Sequence, residues 1–362
     1  MDLDRPAGGP CEGPIRIGMR RLGAAVAHRL GLRPAAAGLR LGDGANLARL
    51  STRQLETVRL HFPRPKFFVF GHARSGTTLL GRLIRLHPEV HCEWQAQIFS
   101  RHGPIPYLAA PGLLAWLRHP ANHWAEYEDP TTLLIRIYCD GLLEAEADRV
   151  GKRVVGDKST NGNGAEAVRW LGAVYPDSHL LFIVRDGRDT ILSKRIQAFL
   201  DQPQSLPRPD QRMRSEVLRD PRLFLDGRRS LFTPEWLEAA AGKWAADVHT
   251  SVAAGREILG DRFLTIRYED LVAKPGGWMR RIWSFLEVEE GDLEAQVMAE
   301  MLANPAAEWH ENVDLNFARS LPRGVPGAWR SIFTVSDAHL FERIAGAELR
   351  AWNYEASPVP RP

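Results

Sequence analysis

Short and long apolar stretches alternate along the chain. The short ones, rich in β-branched and aromatic residues and bounded by turn residues, predict β-strands. They lie at Lys66–Phe70, around Arg153–Val155, at Leu180–Val184 and at Phe263–Ile266. The longer ones have helical spacing, at 77–86, 131–147, 164–174, 189–199, 236–258, 277–286 and 336–350. Because parallel strands need such crossovers, the pattern predicts an α/β fold, a three-layer sandwich with a central, mainly parallel sheet flanked by helices.

Polar side chains follow each predicted strand at its carboxyl end. Arg74 follows the first strand, Asp157 and Lys158 the second, four charged residues from Arg185 the third, and Tyr268 with two acids the fourth. Ligands of open α/β sheets bind beyond these strand ends. The four segments therefore predict one polar rim, although loops carry charges in any case.

The segment from Gly71 to Leu80, Gly-His-Ala-Arg-Ser-Gly-Thr-Thr-Leu-Leu, joins the first strand to a helix. Its two glycines have the G-x-x-x-x-G spacing of a P-loop, so a P-loop-like anion site is predicted at the helix N-terminus. The residue after Gly76 is Thr77, where a nucleoside triphosphatase carries Lys, and the cation lies inside the loop at Arg74. This departure argues against an ordinary ATPase. The alternative is a glycine-containing turn that binds nothing.

A second segment, Arg185-Asp186-Gly187-Arg188-Asp189, follows the third strand, and Ser193 comes eight residues after Arg185. An Arg presents a planar fork to phosphate oxygens, and a Ser hydroxyl donates a short bond to them. The segment thus indicates a phosphate site. A surface ion-pair cluster is the alternative for this segment taken alone.

Together, the loop at 74–78 and the Arg185/Ser193 pair resemble the motifs of sulfotransferases that use 3′-phosphoadenosine 5′-phosphosulfate (PAPS). Residues 322–330 resemble that family's basic glycine-containing loop, with Arg323 and Gly324 in its Lys and Gly positions and Pro322 replacing its Arg. Arg267-Tyr268-Glu269-Asp270-Leu271 is similar to its Tyr-Glu-x-Leu element; a structural hydrogen bond is the other reading of Tyr268. The resemblance runs from about residue 64 to 354 and looks closer to the tyrosylprotein-type and bacterial branches than to the cytosolic one.

The resemblance implies transfer of a sulfuryl group to an acceptor hydroxyl or amine, with release of 3′-phosphoadenosine 5′-phosphate (PAP), and no metal. It implies Arg74 as the cation at the leaving oxygen and Lys158 as support for the transferring group, unless Lys158 is simply paired with an acid. The implied nucleotide-binding residues are Arg74, Ser75, Gly76, Thr77, Thr78, Arg185, Ser193, Tyr268, Arg323 and Gly324.

The general base is the one catalytic role for which the resemblance does not supply a matching residue. By spacing, the family's Glu falls on Gln95, which cannot accept a proton in this role. Glu93 lies two residues earlier and would share a side with Gln95 in an extended segment. Glu93 is therefore the predicted base and His102 the second candidate, with an exposed or ion-paired Glu93 as the alternative.

Composition narrows the function classes. The 362 residues are 44% hydrophobic and 25% charged with a net charge of only +3, so no global basic field points to nucleic acid. Three widely spaced cysteines suggest neither a disulfide framework nor a zinc site, and a reducing cytoplasm is the simpler compartment. No uninterrupted apolar stretch of transmembrane length is present.

Two segments stand apart from the predicted sheet. Residues 1–62 are expected to form a basic N-terminal extension, partly helical or mobile, with six arginines between 15 and 42. A helix at a membrane surface, a helix packed on the main domain and a mobile leader are the alternatives there. Residues 63–362 form the predicted sulfotransferase domain. Within it, residues 200–235 are expected to form an acceptor-side helical insertion, or else a solvated surface excursion.

Two rival functions remain open: a P-loop kinase or other nucleoside triphosphatase, and a catalytically inactive PAP-binding protein. The acceptor is not readable from the sequence, and a small molecule, a glycan, a lipid or a peptide tyrosine would each fit.

Overall fold

The computed structural model describes residues 47–94, 96, 98–100, 105, 112, 115–116, 119, 130–160, 164–201, 203–289, 291–303 and 324–355. The sequence-predicted positions Gln95, His102 and Arg323 lie outside these described residues, as do residues 1–46 with their arginine-rich segment. Membrane contact by the N-terminal extension, and its boundary at residue 62, therefore stay predictions.

A five-stranded parallel sheet with the order β2-β3-β1-β4-β5 forms the centre of the described structure. The strands are β1 (Lys66–Gly71), β2 (Val90–Trp94), β3 (Val154–Lys158), β4 (His179–Val184) and β5 (Phe263–Arg267). The central strands are apolar on both faces because helices cover both sides of a parallel sheet. The four sequence-predicted strands are confirmed. Strand β2 is not among the predicted strands, because His91 and Glu93 interrupt its apolar pattern; from the sequence it is considered only as a segment that would be extended.

Helices connect the strands in the order expected for parallel crossovers. They are α1 (Thr52–His61), α2 (Thr77–Ile84), α3 (Pro130–Val150), α4 (Ala165–Val174), α5 (Gly187–Asp201), α6 (Arg208–Arg219), α7 (Arg222–Leu225), α8 (Pro234–Leu259), α9 (Tyr268–Ala273), α10 (Pro275–Phe285), α11 (Glu294–Ala303), α12 (Trp329–Ile332) and α13 (Val335–Ala351). The seven sequence-predicted helices are confirmed to within a few residues. Helices α6 and α7 lie within the predicted helical insertion at 200–235, and α1 lies within the extension expected to be partly helical. No helix was predicted at α9, α11 or α12.

The alternation of side chains along the strands builds the two outer layers. Phe67 and Val69 of β1 face α2 and α10, whereas Phe68 and Phe70 face the layer of α3, α4, α5, α8 and α13. All four side chains are at most 1% exposed, and each such burial stabilises the fold by roughly 1.5–3 kcal/mol. The predicted three-layer α/β sandwich is confirmed.

The predicted insertion at 200–235 is helical and contributes to the core. A 3₁₀ turn at Pro203–Ser205 leads into α6 and α7, and Val217 and Phe224 are buried in the same cluster as the sheet. Arg195 of α5 forms a buried ion pair with Asp210 at 2.6 Å. These contacts favour the helical alternative over a solvated excursion. An acceptor-side role for the segment stays a prediction.

At the start of the described chain, a capping box closes the N-terminus of α1. The Gln54 backbone amide donates to the Ser51 hydroxyl, and the Ser51 amide donates to the Gln54 side chain.

In the part of the chain that the structure describes, no helix is both long and apolar enough to cross a membrane.

Candidate active site

The loop between β1 and α2 has the backbone of an anion site. Arg74 and Gly76 have positive φ angles of 76° and 97°, and the Ser75 amide donates to the His72 carbonyl at 3.0 Å. A Cβ atom at Gly76 would lie 2.4 Å from the Tyr268 ring, so only glycine fits there. The turn leads directly into the N-terminus of α2, where backbone N–H groups and the helix dipole favour an anion.

Three of the predicted site residues lie close together here: Ser75 in the loop, Thr78 on α2 and Lys158 on β3. Ser75 is fully buried and its Oγ has no hydrogen-bond partner among the described residues. Lys158, 1% exposed at the end of β3, places its Nζ 3.5 Å from Thr78 Oγ1. The structure thus brings the loop and Lys158 together. An unsatisfied buried hydroxyl is costly, so Ser75 is suited to bind an oxygen of a ligand.

Arg74 connects the loop to α5. Its Nε donates to Ser193 Oγ at 3.1 Å. The predicted leaving-group cation and the predicted 3′-phosphate serine are therefore neighbours, although they are far apart in sequence.

Arg185 lies between the loop and the C-terminal segment. It is 6% exposed, and its Nη1 and Nη2 donate at 3.4 Å to the carbonyls of Arg74 and Val325. Its Cζ lies 4.7 Å from the centre of the Tyr268 ring. Its Nε has no hydrogen-bond partner in the described structure, and no carboxylate there lies within ion-pair distance of it. A buried guanidinium with two long bonds to carbonyls and an unpartnered Nε is suited to bind phosphate.

Tyr268 closes the site against the C-terminal loop. Its hydroxyl donates to the Gly324 carbonyl at 2.7 Å, and Gly324 has a φ of 65°. Tyr268 and Gly324 thus lie beside Arg185, as expected for members of the predicted nucleotide-binding set. The structural hydrogen bond offered as the alternative for Tyr268 is also present.

Asp189 is a residue of the site that sequence reasoning missed. Its carboxylate accepts the backbone amides of Gly327 and Trp329 at 2.7 and 2.9 Å and so anchors the C-terminal loop next to Arg185. Burial raises the pKa of Asp189 to about 6, while the positive charge of Arg185 and the two amide donors oppose this shift. The acid is visible in the Arg-Asp-Gly-Arg-Asp segment, but its partners lie far along the chain.

Asp157 was likewise given no role of its own. It is fully buried and accepts the Ala96 amide at 2.8 Å and the Ser159 hydroxyl at 2.5 Å. Burial raises the pKa of this carboxyl to about 6, against the effect of the Ser159 and Ala96 donors. Asp157 therefore holds the segment after β2 against the end of β3.

Glu93 is not brought to the face of Lys158. It pairs in register with Asp157, whereas Lys158 follows on the α2 face of the sheet. Glu93 Oε2 lies 3.3 Å from His91 Nε2, and Glu146 of α3 approaches the same nitrogen at 3.8 Å. The role of Glu93 as general base stays a prediction.

His91, Glu93 and Glu146 are also the one group in the described residues whose ligand atoms lie close enough to hold a metal, within 4.8 Å of one another. Linear spacing could not show this group, because Glu146 comes from a different element. Glu146 is already held by an ion pair with Arg149, which lowers its pKa. The group is thus a charge cluster neutralised by an arginine.

The comparisons with known proteins agree with this geometry. A model of the sulfotransferase family matches residues 65–292, more than half of the chain. The chain belongs to the sulfotransferase family. The matched residues include the loop, Lys158, Arg185, Ser193 and Tyr268.

This sulfotransferase family member is similar to protein-tyrosine sulfotransferases of animals. It is 23% identical over 241 residues to the one from Drosophila melanogaster, covering 63% of this chain and 39% of that protein. It is 22% identical over 236 residues to protein-tyrosine sulfotransferase 1 of Danio rerio, covering 63% of this chain and 54% of that protein. The chain therefore spans about half of these relatives or less.

Among solved structures, it is similar to a sulfotransferase from Alicyclobacillus acidocaldarius, with 21% identity, a TM-score of 0.39, and coverage of 80% of this chain and 98% of that one. It is also similar to mouse sulfotransferase SULT7A1 complexed with PAP, with 17% identity, a TM-score of 0.44, and coverage of 83% and 90%.

Proposed function

We propose that the protein transfers the sulfuryl group of PAPS to an acceptor hydroxyl or amine and releases PAP. The observation that carries this proposal is the buried guanidinium of Arg185, which lies beside the Arg74 loop and whose Nε has no hydrogen-bond partner among the described residues. An anion with several phosphate oxygens would satisfy it. Family membership supports the same chemistry.

The residues of the site fit the two ends of the nucleotide. The loop amides, the Ser75, Thr77 and Thr78 hydroxyls, Arg74 and Lys158 would hold the 5′-phosphosulfate, and Arg185 with Ser193 would hold the 3′-phosphate. Charge builds on the bridging oxygen as the S–O bond breaks, and a preorganised cation there lowers the barrier. Arg74 is the residue that we assign to that position.

Nucleotide preference distinguishes this function from a kinase or other nucleoside triphosphatase, and turnover distinguishes it from an inactive PAP-binding protein. A kinase or other nucleoside triphosphatase would prefer ATP with Mg²⁺, but the Lys that such a loop carries after its second glycine is Thr77 here. An inactive PAP-binding protein would share the site and lack turnover.

We expect PAP without metal to raise the thermal stability of the protein, and ATP with Mg²⁺ to do so much less. A ligand at 100 times its dissociation constant adds about 2.7 kcal/mol to the free energy of unfolding. Thermal unfolding with each ligand, over a concentration series, is the measurement. Stabilisation by ATP and Mg²⁺ but not by PAP would show that the loop is a modified triphosphate site.

The acceptor is the next unknown. The animal relatives are named protein-tyrosine sulfotransferases, so a peptide tyrosine is the first class to screen, followed by small molecules, glycans and lipids. PAP release from PAPS with each acceptor class would report turnover and would separate an active enzyme from an inactive PAP-binding protein.

Glu93→Gln tests the predicted general base. If Glu93 accepts the acceptor proton, turnover with the acceptor that the screen identifies should fall by about 100-fold or more, because general-base catalysis contributes on that order. PAP affinity should change little. Glu146→Gln is the matched control, since it alters the same cluster from α3 and should retain turnover. Full activity in Glu93→Gln would remove this residue from the reaction.

A further inference from the structure

A pocket apart from the candidate active site lies at the β5 edge of the described sheet, between the two helical layers. Its volume is about 320 Å³, and its walls come from β5, α9, α10 and the C-terminal end of α13. The residues that matter here are Arg267, Asp270, Trp278, Arg281 and Trp352. None of them belongs to the predicted nucleotide-binding set. The volume is within the range of small-molecule sites.

Two arginines give this pocket its charge. Arg281 is exposed, its Cζ lies 4.9 Å from the Trp278 ring, and no acid of the described residues pairs with it. Arg267 donates from Nη1 to Asp270 at 3.2 Å, but its Nε is buried and has no hydrogen-bond partner there. Asp270 is the one acid in the lining and is already bound to Arg267. The Arg281 guanidinium and the Arg267 side chain, which is 26% exposed, are therefore left for an anion.

Two indoles give the pocket flat apolar walls. Trp278 is half-buried beneath Arg281, and Trp352 is held in place by the bond from its Nε1 to Glu348 at 2.9 Å. Aromatic rings pack favourably on such surfaces, and a guanidinium stacked on an indole remains able to bind an oxyanion in its plane.

We propose that this edge pocket binds a flat aromatic anion, whose sulfate, phosphate or carboxylate group contacts Arg281 and Arg267 and whose ring packs against Trp278 and Trp352. The ligand must be aromatic because the two tryptophan side chains form the walls, and it must be negatively charged because the two arginines are positive.

A chain of contacts leads from this pocket to Arg185. The Arg267 guanidinium lies 4.8 Å from the Tyr354 ring, and the Tyr354 hydroxyl donates to Glu269 Oε2 at 2.9 Å. Glu269 Oε1 accepts the backbone amide of Asp186 at 3.0 Å, and Asp186 directly follows Arg185. A ligand that moves Arg267 therefore acts on the backbone next to the phosphate site. Resting on the proposed function, we infer that edge-pocket binding and PAP binding change each other's affinity by the same factor.

Calorimetric titration with 1-naphthyl phosphate, without nucleotide, tests the pocket. Wild-type protein and Arg280→Ala should bind the probe equally, because Arg280 is the adjacent residue but pairs with Glu294 outside the pocket. Arg281→Ala should weaken binding at least tenfold. Arg185→Ala should leave it unchanged, which excludes binding in the nucleotide site. Absence of binding to the wild type, equal binding to Arg281→Ala, or loss in Arg185→Ala would each overturn the proposal.

Repeating a PAP titration with and without saturating probe tests the coupling. PAP affinity should change at least threefold in the wild type. Tyr354→Phe should abolish this change while still binding both ligands, since it keeps the ring and removes only the hydroxyl, which bonds to Glu269 and, at 3.5 Å, to the Val184 carbonyl. An unchanged PAP affinity would overturn the coupling. A protein that binds no PAP would refute the proposed function instead, and the nucleotide-free titration would still decide on the pocket.

Discussion

Arg185→Ala should weaken PAP binding by at least about 30-fold, since removing one partner of a buried charge pair costs about 2 kcal/mol or more. The reason lies in what surrounds Arg185. In the described structure it donates only to two carbonyls, both at 3.4 Å, and its Nε is unpartnered. Its binding capacity is thus unused by the protein itself. Calorimetric titration of PAP into the wild type and the variant is the measurement.

The nearby Arg188 provides the contrast. It is fully buried as well, but it forms an ion pair with Asp186 at 2.7 Å and lies 3.8 Å from the Trp329 ring. Arg188→Ala should therefore lower the melting temperature without ligand, because it leaves a buried acid unpaired. Arg185→Ala should lower that melting temperature less, because Arg185 forms only two bonds of 3.4 Å to carbonyls. Wild-type PAP affinity in Arg185→Ala would assign Arg185 a purely structural role.

The sequence was sufficient for the parts of this site that depend on local pattern. The loop at 71–78, the strand that ends in Arg185 and the polar residues at strand ends are all readable because each combines an apolar strand, a turn and a helix start within a few residues. The parallel order of the strands then brings them to one edge of the sheet.

What the sequence could not provide depends on contacts between distant elements. Asp189 anchors the C-terminal loop through the amides of Gly327 and Trp329, and nothing local to Asp189 signals those partners. Glu93 was selected by period-two spacing, but register and strand order decide which face it occupies. Beside Asp157 and near Glu146, it lies on the α3 face. A single strand pattern does not specify which layer packs on which face.

The bounds of α6 could not be predicted for a related reason. Pro203 and Pro207 precede this helix and argue against regular structure, whereas Pro209 occupies its first turn, where a proline costs no hydrogen bond. Its apolar residues are few, and its stability comes from tertiary contacts such as Val217 in the core and the Asp210 ion pair with Arg195. The sequence of such a helix contains too few apolar residues to mark its bounds.

Arg74→Gly should reduce the rate of PAP release from PAPS by about 100- to 1000-fold, the usual effect of removing one preorganised donor at a developing oxyanion. Glycine is the sharper replacement because Arg74 has a φ of 76°, which glycine adopts without strain. The loop should therefore keep its backbone, and its amides and Arg185 should still hold PAP. A single-turnover measurement of PAP release, with PAP affinity measured in parallel, separates the two effects.

Two control variants accompany Arg74→Gly: one keeps the positive charge at position 74, and the other removes a different arginine nearby. Arg74→Lys should recover part of the rate, since it keeps a cation in the loop but loses the planar fork that contacts Ser193. Arg82→Ala, on the helix α2 that follows the loop, should retain the full rate, because Arg82 is paired with Glu300 at 2.5 Å. If Arg74→Gly lost PAP affinity and turnover in equal measure, Arg74 would bind the ground state only. The stabilising charge at the leaving oxygen would then have to come from Lys158, whose Nζ already lies next to Thr78.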